Sequence, residues 1–268
     1  MSLNLDNGWQ VLPIDGDTGT AFMGVNHDQR LFIKQNSSPF LAALSLEQIV
    51  PRLVWTKTMS TGDTLTAQEW QNGRSLKRTE MQKKEVSDLL YRLHHSDLLK
   101  RMLLQIGGQV LPPQELLNRY FRGLAPDLRK HPLLKNTANH LRACQPKLER
   151  SNYEVCHGDL NHKNWLLSDK HKLYLVDWEA AMIADPATDL SMLMCQYVPR
   201  EQWYAWLCQY VKGTPTAELC QRVDWYLRLY LLMSIKHSYM RGRFHEMNQD
   251  IVKLNEFSKE DIFKINKG

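Results

Sequence analysis

Between Tyr153 and Glu179 the sequence reads YEVCHGDLNHKNWLLSDKHKLYLVDWE, and three of its side chains are hard oxygen ligands in an order that suits phosphoryl transfer. Asp159 follows His157 and Gly158, Asn164 lies further along the same loop, and the apolar run Leu173-Tyr174-Leu175-Val176 delivers Asp177. Moving a phosphoryl group requires a carboxylate that orients the attacking hydroxyl and accepts its proton. It also requires oxygen ligands that hold magnesium on the nucleotide phosphates. Asp159 suits the first task, and Asn164 and Asp177 suit the second. Asp159 and Asn164, at the two ends of one loop, can face a common point, and Asp177 can join them if the flanking strands pair. The competing reading is a hairpin tip whose Asp and Asn satisfy local backbone donors. Turn chemistry accounts for His157-Gly158-Asp159 as readily as catalysis does, but it does not require both Asn164 and Asp177.

A nucleotide site needs further parts upstream. Lys34 ends the apolar strand RLFIKQ, as does the lysine that touches the α- and β-phosphates in kinases. Glu47, on the following helical segment, is its natural ion-pair partner. Taken singly, a strand lysine is more often a snorkelling edge residue and a helix glutamate is usually solvated. The order strand lysine, helix glutamate, catalytic loop favours the paired reading. The stretch DGDTGTAFMG would cover the phosphates, with Gly16 and Gly19 allowing a tight turn and Thr18, Gly19 and Thr20 offering hydroxyls and amides. It is not a Gly-x-Gly-x-x-Gly loop, and by itself it reads as a hairpin turn. No Gly-x-x-x-x-Gly-Lys motif occurs, which argues against a P-loop enzyme. Backbone groups of Glu69, Trp70 and Gln71, after a strand ending at Gln68, would supply an adenine slot.

The elements that must position these groups change character along the chain. Up to about residue 71 short apolar runs, GWQVLPI, AFMGV, RLFIKQ and TLTAQEW, alternate with Gly, Asp and Asn turns. Within SLEQIVPRLVW, Leu46, Ile49, Val50 and Leu53 recur at helical spacing, although Pro51 limits that helix. After the turn signal Asn72-Gly73 the pattern becomes helical. Thr79 and Gln82 form a capping-box pattern ahead of the stripe Val86, Leu89, Leu90 and Leu93. A long helix is expected from Thr216, with Leu219, Val223, Tyr226, Leu227, Tyr230 and Leu231 on one face. The opening stretch is the one strong strand signal inside the helical region.

The 268 residues are 43% hydrophobic and 24% charged, enough for one large domain or two lobes. No apolar run approaches the ~20 residues of a membrane span, and the N-terminus lacks a signal-peptide pattern, so a cytoplasmic protein is expected. Five cysteines without a Cys-x-x-Cys pair read as reduced thiols. The formal charge of +5 is dispersed, which favours a solvated surface and no direct nucleic acid binding. Trp203, Trp206, Trp225 and Tyr226 could box a quaternary ammonium, but helical spacing favours core residues. His94 and His95 end an amphipathic helix, where they can orient the catalytic loop or complement the helix dipole, and a structural role is favoured for both.

VCHGDLNHKNWLL followed by LYLVDWEAAMIADPATDLSML resembles the Brenner motif and metal-binding segment of the aminoglycoside phosphotransferase and choline kinase superfamily. GTAFMG, LFIKQNSSPFL, EQIVPRLVW, AQEW and CQYVPREQW are similar to the CcrZ (YtmP) family of bacterial cell-cycle regulators, over nearly the whole chain. The resemblance implies an α+β, two-lobed protein-kinase-like fold, with a small β-rich nucleotide-binding lobe over 1–71 and a larger helical lobe over 72–268 that carries the catalytic loop and substrate pocket. It implies Asp159 as catalytic base, His157 as the residue that shapes its loop, Asn164 and Asp177 as Mg2+ ligands, and Lys34 with Glu47 as the phosphate anchor for ATP. Asp189 resembles a structural aspartate that supports the loop or caps the next helix. The implied activity is phosphorylation of a small hydroxyl compound, a ribose-like pentose being favoured, with cell-division and replication-initiation proteins as partners and recruitment to the division site. Two alternatives stand beside it: a scaffold that binds nucleotide and such partners without turnover, and a choline or aminoglycoside kinase. The poor glycine loop departs from the kinase pattern.

Overall fold

A computed structural model of the chain describes residues 8–14, 21–27, 29–259 and 263. The phosphate-cover residues Thr18, Gly19 and Thr20, with Gly16 beside them, lie outside the described residues. The chain is α+β and divides into two compact units, each assembled from separate stretches. One runs to Leu76 and adds Asp97–Ile106 and Lys163–Asp177. The other takes Lys77–Ser96, Gly107–His162 and the chain from Trp178 onward.

In chain order the elements are strands β1 (Gln10–Pro13), β2 (Ala21–Asn26) and β3 (Gln29–Gln35), helix α1 (Phe40–Leu46), and strands β4 (Leu53–Thr58), β5 (Thr64–Glu69) and β6 (Gly73–Ser75). Helices α2 (Lys84–His94), α3 (Asp97–Gln105), α4 (Pro113–Phe121), α5 (Pro126–Lys130) and α6 (Pro132–Ala143) follow. Strands β7 (Glu154–Cys156), β8 (Trp165–Ser168), β9 (Leu173–Leu175) and β10 (Met182–Ala184) precede helices α7 (Ala187–Tyr197), α8 (Trp203–Val211), α9 (Ala217–Met240) and α10 (Phe244–Lys259).

The first unit contains an antiparallel sheet in the order β1-β2-β3-β5-β4. Strand residues alternate between faces, so Leu31 and Ile33 of β3 bury against Leu65 and Ala67 of β5, while Lys34 falls on the opposite face. The helix expected around Leu46, Ile49, Val50 and Leu53 lies earlier, in α1. Glu47 is its C-cap, Gln48 takes a left-handed φ of 56°, and Leu53 enters β4. The turn is closed by side-chain chemistry that periodicity does not register: Ser45 Oγ accepts the Leu53 amide at 2.7 Å. Leu46 is left 74% exposed.

A second sheet of this unit, in the order β6-β8-β9, carries two of the candidate ligands at its edges. Gly73 pairs with Ser168 so closely that a Cβ at Gly73 would run into the Leu167 carbonyl oxygen.

In the second unit the stripe Val86, Leu89, Leu90 and Leu93 of α2 is buried, as expected. Thr79 does not cap this helix. It sits in a 3-10 turn, Arg78–Glu80, that Glu80 closes by accepting the Lys77 amide at 2.8 Å, and α2 starts only at Lys84. Strands β7 and β10 pair antiparallel, Cys156 opposite Met182. Thr216 Oγ1 caps α9 by accepting the Leu219 amide at 3.2 Å, and Val223, Tyr226, Leu227 and Leu231 are buried along it. Trp203, Trp206, Trp225 and Tyr226 are core residues, with Trp225 donating its indole N–H to the Leu141 carbonyl at 2.9 Å. Among the described residues no helix is long and apolar enough to cross a membrane.

Replacing Gly73 by Ala should destabilise the protein by about 1–3 kcal/mol, since the methyl group meets backbone that can move only by disturbing the β6-β8 pairing. Urea unfolding of the variant would measure this, and an unchanged midpoint would contradict the close approach.

Candidate active site

The loop that follows β7 is held from beneath by a buried carboxylate. Asp189, fully buried on α7, accepts the His157 amide at 2.7 Å on Oδ2 and the Gly158 amide at 3.0 Å on Oδ1. His94 Nε2, at the end of α2, lies 3.2 Å from Oδ2, and His94 Nδ1 lies 2.9 Å from the Tyr210 hydroxyl. Gly158 has no substitute here: its φ is 80°, and a Cβ would lie 2.6 Å from the Ala180 carbonyl oxygen. The buried His157 ring accepts the Asp159 amide through Nδ1 at 3.2 Å and packs edge-on against Trp178, 4.6 Å between ring centres. Such a bond requires Nδ1 to be unprotonated. The loop's far end is tied as well, the His162 amide donating to the Tyr197 hydroxyl at 3.1 Å. Between these anchors Asp159 is exposed. A carboxylate presented on a rigid loop with its neighbours' amides already bonded is what a proton acceptor requires.

The charges beneath the loop follow from burial and partners. Burial alone pushes the Asp189 carboxyl up. The His94 hydrogen bond and charge and the Gly158 amide outweigh it, and the group titrates below the ordinary aspartate value. Asp185 goes the other way: burial raises it, and the Arg222 guanidinium, an ion pair at 3.0 Å too misaligned to be a hydrogen bond, only moderates the rise. Asp185, rather than Asp189, makes the cap-like contact of α7, accepting the Ala187 amide at 2.9 Å. Cys156 completes the layer, its thiol pushed well up by burial and donating to the Asp185 carbonyl at 3.5 Å. The ligand atoms of His94, Cys156 and Asp189 lie within 4.8 Å of one another, but these contacts make them a hydrogen-bonded knot with a protonated thiol rather than a metal centre.

Asn164 and Asp177 belong to the other unit, which brings them together. The Val176 amide donates to the Asn164 carbonyl at 2.8 Å, just beyond the β8-β9 pairing of Trp165 with Leu175, so Asp177 leaves the strand beside Asn164. Asp177 is exposed and has a φ of 67°, a left-handed conformation that aspartate tolerates better than most residues and that recurs at functional sites. An amide oxygen from Asn164 and a carboxylate from the exposed Asp177, on neighbouring stretches of backbone, are of the type that suits a hard cation such as Mg2+. Lys34 lies opposite Thr66 in the β3-β5 register, and Glu47 ends α1, both in this unit. At the expected adenine slot the Glu69 amide donates to Arg52 and the Trp70 amide to Arg30, at 2.8 and 3.3 Å. These two donors serve the sheet. Asp185, Tyr197 and Arg78 are parts that residue types did not single out. The sequence DPATD signals the first, and nothing local signals the others.

A family model described as phosphotransferase enzyme family matches residues 34–221. Among solved structures, a choline/ethanolamine kinase family protein from Mesorhizobium loti has 14% identity and a TM-score of 0.64, covering 94% of this chain and 88% of that one. Choline kinase LicA from Streptococcus pneumoniae has 14% identity and a TM-score of 0.60, covering 92% and 93%. The GDP and kanamycin complex of APH(2")-IIia has 15% identity and a TM-score of 0.60, covering 95% of each. Such identities establish the fold, which is the kinase-like α+β fold with an antiparallel-sheet part and a helical part.

Asp189→Asn should cost about 1.5–3 kcal/mol at neutral pH, because a neutral amide cannot accept both loop amides and the His94 bond. A carboxyl whose folded pKa lies below its unfolded value stabilises fully above the unfolded value, about 3.9, and that contribution fades as pH falls through the folded one. The gap between wild type and variant in urea unfolding should therefore shrink below about pH 4. An equal gap at pH 7 and pH 3 would refute a stabilising ionised Asp189.

Proposed function

This chain belongs to the phosphotransferase enzyme family, and from that premise we propose that it is an ATP- and magnesium-dependent small-molecule kinase acting on a hydroxyl acceptor. The observation that carries the reading is the exposed Asp159 on a loop pinned by Asp189 through two amide bonds, at 2.7 and 3.0 Å. In the proposed reaction Asp159 takes the proton of the acceptor hydroxyl as that oxygen bonds to the γ-phosphorus. The bond from that phosphorus to the β,γ-bridging oxygen breaks and ADP leaves. His157 holds Asp159 in place through its amide. Asn164 and Asp177 would hold the magnesium ion, which supplies charge neutralisation on the phosphate oxygens. Lys34, with Glu47, is assigned the α- and β-phosphates.

The narrower reading rests on sequence resemblance: a ribose-like pentose as acceptor and a place in the CcrZ (YtmP) family, with a link to cell-cycle and replication-initiation control. A choline or aminoglycoside acceptor is the second reading, suggested by the LicA and kanamycin-complex structures. Two local facts bear on it. The four aromatic residues that could box a quaternary ammonium are buried in the core. Of the acidic residues that could grip a polycation, Asp224 is paired with Arg228 at 3.0 Å and Glu246 with Arg243 at 3.5 Å. A nucleotide-binding scaffold without turnover is the third.

ADP release measured with pentoses, nucleosides, choline and aminoglycosides separates these readings: stimulation by one class supports a kinase for it, and none supports the scaffold. Asp159→Ala should lower turnover by about 10²- to 10⁴-fold while leaving nucleotide binding in place. Wild-type turnover in that variant would remove Asp159 from the role. Asp177→Ala should weaken magnesium-dependent ATP binding in a calorimetric titration, and unchanged affinity would count against its assignment as a ligand.

A further inference from the structure

The surroundings of Asp159 within its own unit carry a charge that residue spacing does not reveal. Arg78 lies over the Tyr197 ring, its guanidinium carbon 4.8 Å from the ring centre, and donates to the Gln196 carbonyl at 3.2 Å. Tyr197 is the residue whose hydroxyl receives the His162 amide, at the end of the loop that begins with Asp159. That hydroxyl is pushed up by burial, lowered by the His162 amide and by Arg78, and raised by Asp159, so the guanidinium and the carboxylate both act on one phenol. Arg78 is exposed, and among the described residues it has no carboxylate partner, whereas Arg228 and Arg122 pair with Asp224 and Glu115. Of the five N–H donors of a guanidinium, the Gln196 carbonyl takes one.

Resting on the kinase reading above, we propose that Arg78 selects an acceptor bearing an anionic group, so that the natural substrate is an acidic polyol such as a sugar phosphate or a sugar acid. The planar guanidinium fork matches a carboxylate or phosphate in two parallel hydrogen bonds. A cationic acceptor reaching the same loop would meet repulsion from Arg78. The anion is the handle and a hydroxyl elsewhere on the molecule is the nucleophile, so the phosphoryl transfer itself is unchanged.

The test is steady-state ADP release by the full chain with a free pentose, the corresponding pentose 5-phosphate, a sugar acid, choline and kanamycin. An anionic polyol should exceed its neutral counterpart in kcat/KM by at least about tenfold in the wild type. Arg78→Gln should lower that anionic-to-neutral ratio by about 10- to 100-fold, mainly through KM, and Arg78→Lys should restore part of it, since one charge-assisted hydrogen bond supplies that range. Best turnover of a neutral or cationic acceptor overturns this inference and leaves the kinase reading standing. So does an unchanged ratio in Arg78→Gln, or a rise confined to the KM for ATP. Failure of every acceptor removes the kinase reading, and this inference with it.

Discussion

Asp189 has no contact with solvent, yet it holds two backbone amides and an imidazole, and the candidate site depends on that arrangement. A carboxylate can be buried only when its oxygens are bonded on most sides. Here the bonds come from His157, Gly158 and His94. Each serves two ends at once: it stabilises the charge and it positions the loop. The loop in turn cannot take another path, because Gly158 is in a left-handed conformation against the Ala180 carbonyl. Asp159 therefore reaches the surface from a fixed base.

The same stretch of chain leaves one compact unit and enters the other between His162 and Lys163. Each side of that crossing has its own attachment. On the Asp159 side the His162 amide bonds to Tyr197. On the Asn164 side the Lys163 carbonyl accepts Ser75 Oγ at 3.2 Å, and the Trp165 carbonyl accepts the Leu76 amide at 3.1 Å. Base and ligands are thus held by separate attachments, one in each unit.

How much of this could be read beforehand depends on the range of the interaction. The strands of the first sheet and the stripe of α2 follow from period-two and period-3.6 patterns, which are local. The types and order of Asp159, Asn164 and Asp177 are legible for the same reason. Leu46, Ile49 and Leu53 carry a helical pattern that the fold does not use, because the Ser45 hydroxyl and the left-handed Gln48 end the helix. Thr79 satisfies a capping pattern but loses to Glu80, which closes an earlier turn. Asp185 and Tyr197 matter through partners 29 to 37 positions away, at Cys156, Arg222 and His162. No window along the chain contains both members of such pairs.

Charge illustrates the same limit. A formal +5 over 268 residues says little, since most cations of such a surface are solvated or paired. What can bias a reaction is one cation held where chemistry happens. Two surface ion pairs of the second unit, Arg122 with Glu115 and Lys84 with Asp88, each lie at 2.5 Å and cancel locally. Arg78 is held instead by a carbonyl and an aromatic face, neither of which neutralises it. Its field therefore reaches the neighbouring loop uncompensated by a bonded carboxylate, and at the few-ångström separations of a binding site such a field is weakly screened by salt. Dispersed positive charge and the proposed electrostatic preference are in this way compatible, because the preference would come from a guanidinium beside the loop whose partners are uncharged.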